Sequence, residues 1–161
     1  MPGSELDELP DWPPGTVAVL ATGAGEPHAI PVSTCVRAGP RTVLLALARR
    51  RESLQRLRRD PRCALTLLAG GNVALSAVGR ATVVQEAMAV ADTVAAVRIE
   101  IARVLDHRQG TFEIRDGVRW EWIDAGAAER DAAIRAALME LGRAGDPTGP
   151  PARPSAYVDP G

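Results

Sequence analysis

Short apolar blocks separated by Gly and Pro run through most of the chain, and their spacing predicts strands joined by tight turns. Residues 16–22 (TVAVLAT) form a β-branched, apolar run suited to a buried strand, and Gly23-Ala-Gly25-Glu-Pro27 marks a turn. Residues 28–37 read as a second strand, and Ala38-Gly39-Pro40-Arg41 closes a hairpin onto a third strand at about residues 42–48. An arginine-rich junction and a short helix lead to Asp60-Pro61. Residues 63–69 form a fourth apolar strand, Gly70-Gly71-Asn72 a hairpin turn, and residues 73–85 a fifth strand with Gly79 at a bulge or close contact.

Elsewhere the pattern is mixed. Val94, Val97, Ile101 and Val104 follow helical spacing, while Val97, Ile99 and Ile101 alternate with Arg98 and Glu100 as in a strand, so periodicity leaves both readings open. Residues 112–122 carry Asp116-Gly117 between two short alternating runs, a strong hairpin signal. Residues 127–141 predict a helix with Ile134, Leu138 and Leu141 on one face, an Asp131/Arg135 pair at i,i+4, and Gly142 as its stop. Ser4-Glu-Leu-Asp7 predicts the cap of a short helix ended by Pro10, Pro13 and Pro14. Four or five sequential strands joined this way predict an antiparallel barrel or meander.

These elements divide the chain into an N-terminal helical arm over 1–13, one domain over 14–143 and a Pro/Gly-rich tail over 144–161 whose composition predicts disorder. A length of 161 residues fits one domain. Apolar residues make up 46% of the chain and aromatics only 3%, so the core has to be built from Val, Leu, Ile and Ala. The first fifteen residues are acidic, with no basic or apolar leader region, and no apolar run reaches the roughly 18 residues of a membrane span, which predicts a soluble, cytoplasmic protein. Cys35 and Cys63 sit in apolar strand patterns, where cysteine acts as a small hydrophobe.

Charge changes the picture at one place. The net charge is −1, which gives no global attraction to nucleic acid or an anionic membrane, so any anion site has to be local. All 19 basic residues are arginine, and Arg49, Arg50 and Arg51 stand where an apolar strand meets the helix start, with Ser53 as a candidate N-cap. Cations there oppose the helix dipole by about 0.3–1 kcal/mol each, and Glu52 offsets part of that. A cluster of this kind beside free backbone N–H groups suits a phosphate or another dianion.

Other chemistries lack support. Gly23-Ala-Gly25 is followed by Glu-Pro-His rather than a third glycine and a helix, so a dinucleotide fingerprint fails on context. His28 and His107 have no partners at metal-ligand spacing, so no metal site is expected. No Gly-x-Ser-x-Gly elbow is present. The arginine cluster contains no aromatic residue, unlike a nucleic-acid surface. Trp120 and Trp122 share one face of the predicted hairpin, either packing on the barrel or lining a ligand groove.

The order "VAVLATGAGEPHAIPVSTCV", "RTVLLALARRRESLQRLRRDPRCALTLL" and "NVALSAVGRATVV" resembles the flavin-binding split-barrel family named for pyridoxamine 5′-phosphate oxidase, over about residues 14–123. The features that carry it are the Ala21-Thr22 to Pro27-His28 hairpin, the arginine- and serine-bearing junction, the Leu57 to Arg62 run and Gly79-Arg80-Ala81. The resemblance implies a mainly β, antiparallel six-stranded split β-barrel with peripheral helices, and a strand over 94–105. It implies a homodimer holding FMN, or in sister branches an 8-hydroxy-5-deazaflavin coenzyme, in a groove between subunits.

By the same resemblance, the cofactor phosphate maps to Arg49, Arg50, Arg51, Ser53 and Arg56, and Pro31, Val32, Ser33 and Thr34 run beside the flavin ring. Members commonly carry lysine at the position aligned to Ser53. This chain has none, which leaves phosphate binding to arginines. It also lacks the extended C-terminal region by which the oxidases hold their substrate, so activity on pyridoxamine phosphate is not expected. The implied function is hydride transfer through FMN to or from a small molecule. The alternatives are a deazaflavin-dependent reductase and a non-catalytic flavin- or haem-binding carrier or sensor.

Overall fold

The residues with ambiguous periodicity form the longest shared spine of the fold. In the computed structural model, which describes residues 3–145, the chain runs through β1 (Glu5–Leu6), β2 (Ala18–Thr22), β3 (His28–Val32), β4 (Val36–Gly39), β5 (Thr42–Ala48), α1 (Glu52–Arg59), β6 (Arg62–Ala69), β7 (Val73–Gln85), β8 (Val94–Asp106) and α2 (Ala125–Gly145). Strand β8 takes β7 on one edge and β5 on the other, with β1 pairing at its far end. Two ladders satisfy its backbone, and Val97, Ile99 and Ile101 turn inward while Glu100 turns to solvent. Long-range pairing, rather than local spacing, decides between helix and strand here.

The sheet is antiparallel throughout, in the order β3-β2-β6-β7-β8-β5-β4. Among the described residues no strand ladder joins its two ends, as in a split barrel. The hydroxyl of Thr34, between β3 and β4, instead donates to the Ala46 carbonyl and accepts from the Ala46 N–H, both at 3.1 Å. Alternate residues fill the interior: Leu20 of β2, Leu65 and Leu67 of β6, Leu45 and Leu47 of β5, and Leu75 of β7. Leu54 and Leu57 of α1 join the same core. A second, smaller cluster lies under α2, where Leu138 meets Leu44, Ala96 and Met88.

Strand β7 bends past β8 at a bulge between Val78 and Gly79. A Cβ at residue 79 would lie 2.1 Å from the Glu100 carbonyl oxygen, so only glycine permits that approach. The β6–β7 turn uses left-handed backbone at Gly71 (φ 78) and Asn72 (φ 59), as its Gly-Gly-Asn sequence predicts.

Several local expectations are corrected. Residues 5–6 form a strand, not a helical arm: Ser4 bonds across to Asp106 rather than capping, the Ser4 carbonyl accepts the Asp106 N–H at 2.8 Å, and Glu5 pairs with Arg103. The strand over 28–37 is broken between Val32 and Val36, where the chain passes from one end of the sheet to the other. Among the described residues, two short segments, β1 and β4, accompany the six longer strands of the split barrel.

Residues 112–122 form no strands. Asn72 captures this segment by exchanging bonds with the Ile114 backbone at 2.9 and 3.0 Å, and Asp116 turns its carboxylate to the Gly117 N–H and to Arg119. Helix α2 passes through Gly142 because that residue packs on Ala38, where a Cβ would come within 3.0 Å of the Ala38 Cβ. Of the predicted tail, residues 144 and 145 are helical and the remainder lies outside the described residues.

Candidate functional site

Strand β5 ends at Ala48, and the next three arginines turn the chain into α1. The Arg49 N–H donates to the Thr93 carbonyl at 2.9 Å, the Arg51 N–H to the Ala48 carbonyl at 3.0 Å, and the Leu54 N–H to the Arg51 carbonyl at 3.2 Å. Arg51 is the N-cap (φ −70, ψ 141), and no side chain caps the helix. Ser53 therefore does not take the capping role its residue type suggests. Its hydroxyl is buried and lies 2.9 Å from His28 Nε2 on β3.

The arginines of this corner fall into two classes. Arg56 donates to the Glu52 carboxylate at 2.9 Å, to the Glu26 carbonyl at 2.7 Å, and to the Ala24 carbonyl. Its hydrogen bond and charge hold the Glu52 carboxyl below its usual range. Arg58 grips Glu86 through two bonds of 3.0 and 2.6 Å, and Arg62 grips Asp60, whose carboxyl is lowered to about 2. Among the described residues Arg49, Arg50, Arg51 and Arg59 have no carboxylate partner, and the first three are consecutive and exposed.

Arg49 and Arg50 open on a recess of about 690 Å³ whose walls include Gln55, Arg58, Glu86 and Thr93. That volume lies within the range of cofactor pockets, roughly 300–1,000 Å³. One Arg49 N–H reaches the Asp92 carbonyl at 3.3 Å, and Arg50 makes no hydrogen bond with a described side chain. Glu86, Asp92 and Thr93 carry no local sequence signal, because they come from the segment between β7 and β8 that folds back against the end of β5.

The nine residues singled out in the sequence do not converge on one cavity. Arg49 and Arg50 face the recess, and Arg51 stands at the helix start. Ser53 and Arg56 turn toward the β2–β3 turn, where their polar groups are already bonded. Pro31 pairs with Val19 and is exposed, whereas Val32 pairs with Ala18 and is buried. Ser33 and Thr34 lie beyond the end of β3, half-buried, with Thr34 committed to Ala46. Thr34 thus lies against one edge of β5, at Ala46, and the segment carrying Asp92 and Thr93 meets the end of the other.

Among the described residues no three His, Cys, Asp or Glu side chains are grouped to hold a metal. Burial pushes the Cys35 and Cys63 thiols up to about 12, so neither offers a thiolate near neutral pH. No described helix is long and apolar enough to cross a membrane.

A family model described as pyridoxamine 5′-phosphate oxidase matches residues 8–115. Among solved structures, a Lactobacillus delbrueckii protein named for that oxidase is 16% identical and superposes with a TM-score of 0.53, covering 65% of this chain and 99% of its own. HupZ from Group A Streptococcus is 12% identical with a TM-score of 0.50, covering 65% of this chain and 90% of its own. At these identities the likeness is one of fold. No curated protein matches the chain.

Proposed function

Since the chain belongs to the pyridoxamine 5′-phosphate oxidase family, whose members generally bind flavins, we propose that it binds FMN and acts as a flavin-dependent oxidoreductase. The observation that carries this reading is the run Arg49-Arg50-Arg51, three adjacent guanidiniums without carboxylate partners among the described residues, where most nearby arginines have one. Leaving such charges together at a helix start costs free energy that a bound dianion recovers.

The fit to FMN is selective. Arg49, Arg50 and Arg51 would hold the phosphate, while Ser53 and Arg56 brace the corner that presents them. Pro31, Val32, Ser33 and Thr34 would flank the ring through backbone groups and the Ser33 hydroxyl, since the Thr34 hydroxyl is occupied. Bound FMN would supply the hydride-transferring ring, and the protein would supply orientation and exclusion of water. The outer face of β2, β3 and β6 leaves Val19 42% and Leu68 51% exposed beside Ala29 and Pro31, and a second copy of the chain would cover it in a homodimer.

Titrating the apoprotein with FMN while following flavin fluorescence tests the reading. Saturable binding in the micromolar range is expected, and no binding at tens of micromolar overturns it. Sedimentation at micromolar concentration is expected to give the mass of two subunits, and a one-subunit mass counts against the dimer.

A further inference from the structure

A second recess lies away from the arginine corner, between the Pro13–Thr16 loop and residues 116–122, with a volume of about 470 Å³. Its wall is aromatic. Trp120 and Trp122 meet edge to face with ring centroids 5.3 Å apart and planes at 82°, so the faces left open form two sides of one corner. They remain 38% and 45% exposed. The Trp120 indole N–H donates to the Gly15 carbonyl at 2.9 Å, and a Cβ at residue 15 would fall 3.6 Å from the Trp120 ring and 2.9 Å from Arg135 Nη1. A Cβ at residue 117 would lie 2.8 Å from the Leu68 carbonyl oxygen, so glycine lets the tryptophan-bearing segment sit directly on β6. The corner is thus held from behind.

The charges around it are unbalanced by one. Arg119 is paired with Asp116 at 2.6 Å and Arg135 with Asp131 at 2.5 Å, while Glu121 has no ion-pair partner among the described residues. Indole faces carry negative potential, and a free carboxylate beside them adds to it, so the recess suits a cation. A primary ammonium brings three N–H donors that need acceptors once water is removed, and Asp116 and Asp131 are already taken by arginines. A quaternary ammonium brings none. Its methyl groups pack on indole faces, and its charge is met by the π-systems and a single carboxylate.

We propose that this recess binds a small quaternary ammonium compound, with its trimethylammonium head in the Trp120–Trp122 corner and its charge toward Glu121. Size also fits. A volume of about 470 Å³ lies in the lower part of the range for small-molecule pockets, enough for the head and a short polar arm. Pro14 of the adjoining loop extends the apolar wall without adding charge. The Arg119–Asp116 and Arg135–Asp131 pairs contribute no net charge, which leaves Glu121 to set the sign of the ligand. That sign is opposite to the one the arginine corner selects.

The test titrates the full chain with choline and follows the indole N–H resonances of its three tryptophans. Trp12, whose indole N–H donates to the Cys35 carbonyl at 3.1 Å outside the recess, reports on the fold. Choline at millimolar concentration is expected to move the Trp120 and Trp122 resonances saturably and leave Trp12 in place. Its neutral isostere, in which a tert-butyl group replaces the trimethylammonium head, is expected to bind about tenfold more weakly, because two indole faces and a carboxylate act on the charge. Glu121→Gln should weaken choline roughly two- to fivefold with Trp12 unmoved. No shift at about 50 mM choline overturns the proposal. Equal binding of the neutral isostere also overturns it, since the recess would then select apolar shape alone. It fails too if the Trp120 and Trp122 signals change on dilution together with a fall from two-subunit to one-subunit mass, because a second copy then covers the recess.

Discussion

His28 Nε2 lies 2.9 Å from Ser53 Oγ, and this one contact ties the hairpin end of β3 to the first turn of α1. It occupies the hydroxyl that the helix start would otherwise present to a ligand. Ser53→Ala is therefore expected to cost about 0.5–1.5 kcal/mol of stability, the usual worth of such a bond, and to leave FMN affinity within twofold. Urea denaturation and flavin titration of the same variant separate the two effects, and a tenfold loss of affinity would show that Ser53 touches the cofactor.

The opposite outcome is expected at the exposed arginines. Replacing Arg50 and Arg51 by Ala removes no contact with a described carboxylate, so the denaturation midpoint should stay close to the parent's. FMN binding should weaken by tenfold or more, given about 1.5–3 kcal/mol per charged hydrogen bond. An unchanged dissociation constant in the double variant would remove the phosphate assignment.

The arginine run was legible because its three members are adjacent in sequence, whereas the fate of Ser53 was not, because its partner stands 25 residues away. Strands β5 and β7 followed from their apolar runs and turn residues. Strand β8 could not be read from periodicity, since Val97 and Ile101 satisfy both helical and strand spacing, and its two neighbours decide the matter. The Asp116-Gly117 hairpin signal misled for a related reason: Asn72 offers the segment a backbone partner that local sequence does not reveal. Local chemistry announces turns and charge clusters, and tertiary pairing overrides it where two local states compete.

Gly79 is a position where a single methyl group has nowhere to go. The Cβ of Gly79→Ala would fall 2.1 Å from a backbone carbonyl of β8, and backbone in a double-sided ladder moves little. A destabilisation of roughly 2–4 kcal/mol is expected. Chemical denaturation measures it, and a loss under about 0.5 kcal/mol would show that the bulge relaxes.

Stability should fall at acid pH through Asp106. Hydrogen bonds from the Arg108 side chain, at 2.8 and 3.0 Å, lower its carboxyl to about 2, below the unfolded value of about 3.9. A depressed folded value means that the contribution is complete above about pH 4 and is lost as the pH falls toward 2. Asp60, also lowered to about 2 by Arg62, adds to the same window. Asp106→Asn should be less stable than the parent at pH 7, and the difference should close by pH 2. Urea midpoints across that range check it, and a constant difference would assign the effect to packing.

Which flavin the chain prefers follows from how far its free positive charge extends. FMN ends in one dianionic phosphate, which three adjacent arginines can serve, whereas the deazaflavin coenzyme carries a phosphodiester and an acidic tail that need a longer basic track. Arg56 and Arg59 share a helix face at i,i+3 and would extend the cluster if both were free. Arg56 is not: Glu52 and the carbonyls of the β2–β3 turn hold it, and Glu86 holds Arg58. The free charge is therefore short, and FMN should bind roughly tenfold tighter or more, about the effect of one further charged contact. Parallel titrations of the apoprotein with both cofactors decide the point, and tighter binding of the deazaflavin, or no binding of FMN at tens of micromolar, would overturn the preference for FMN.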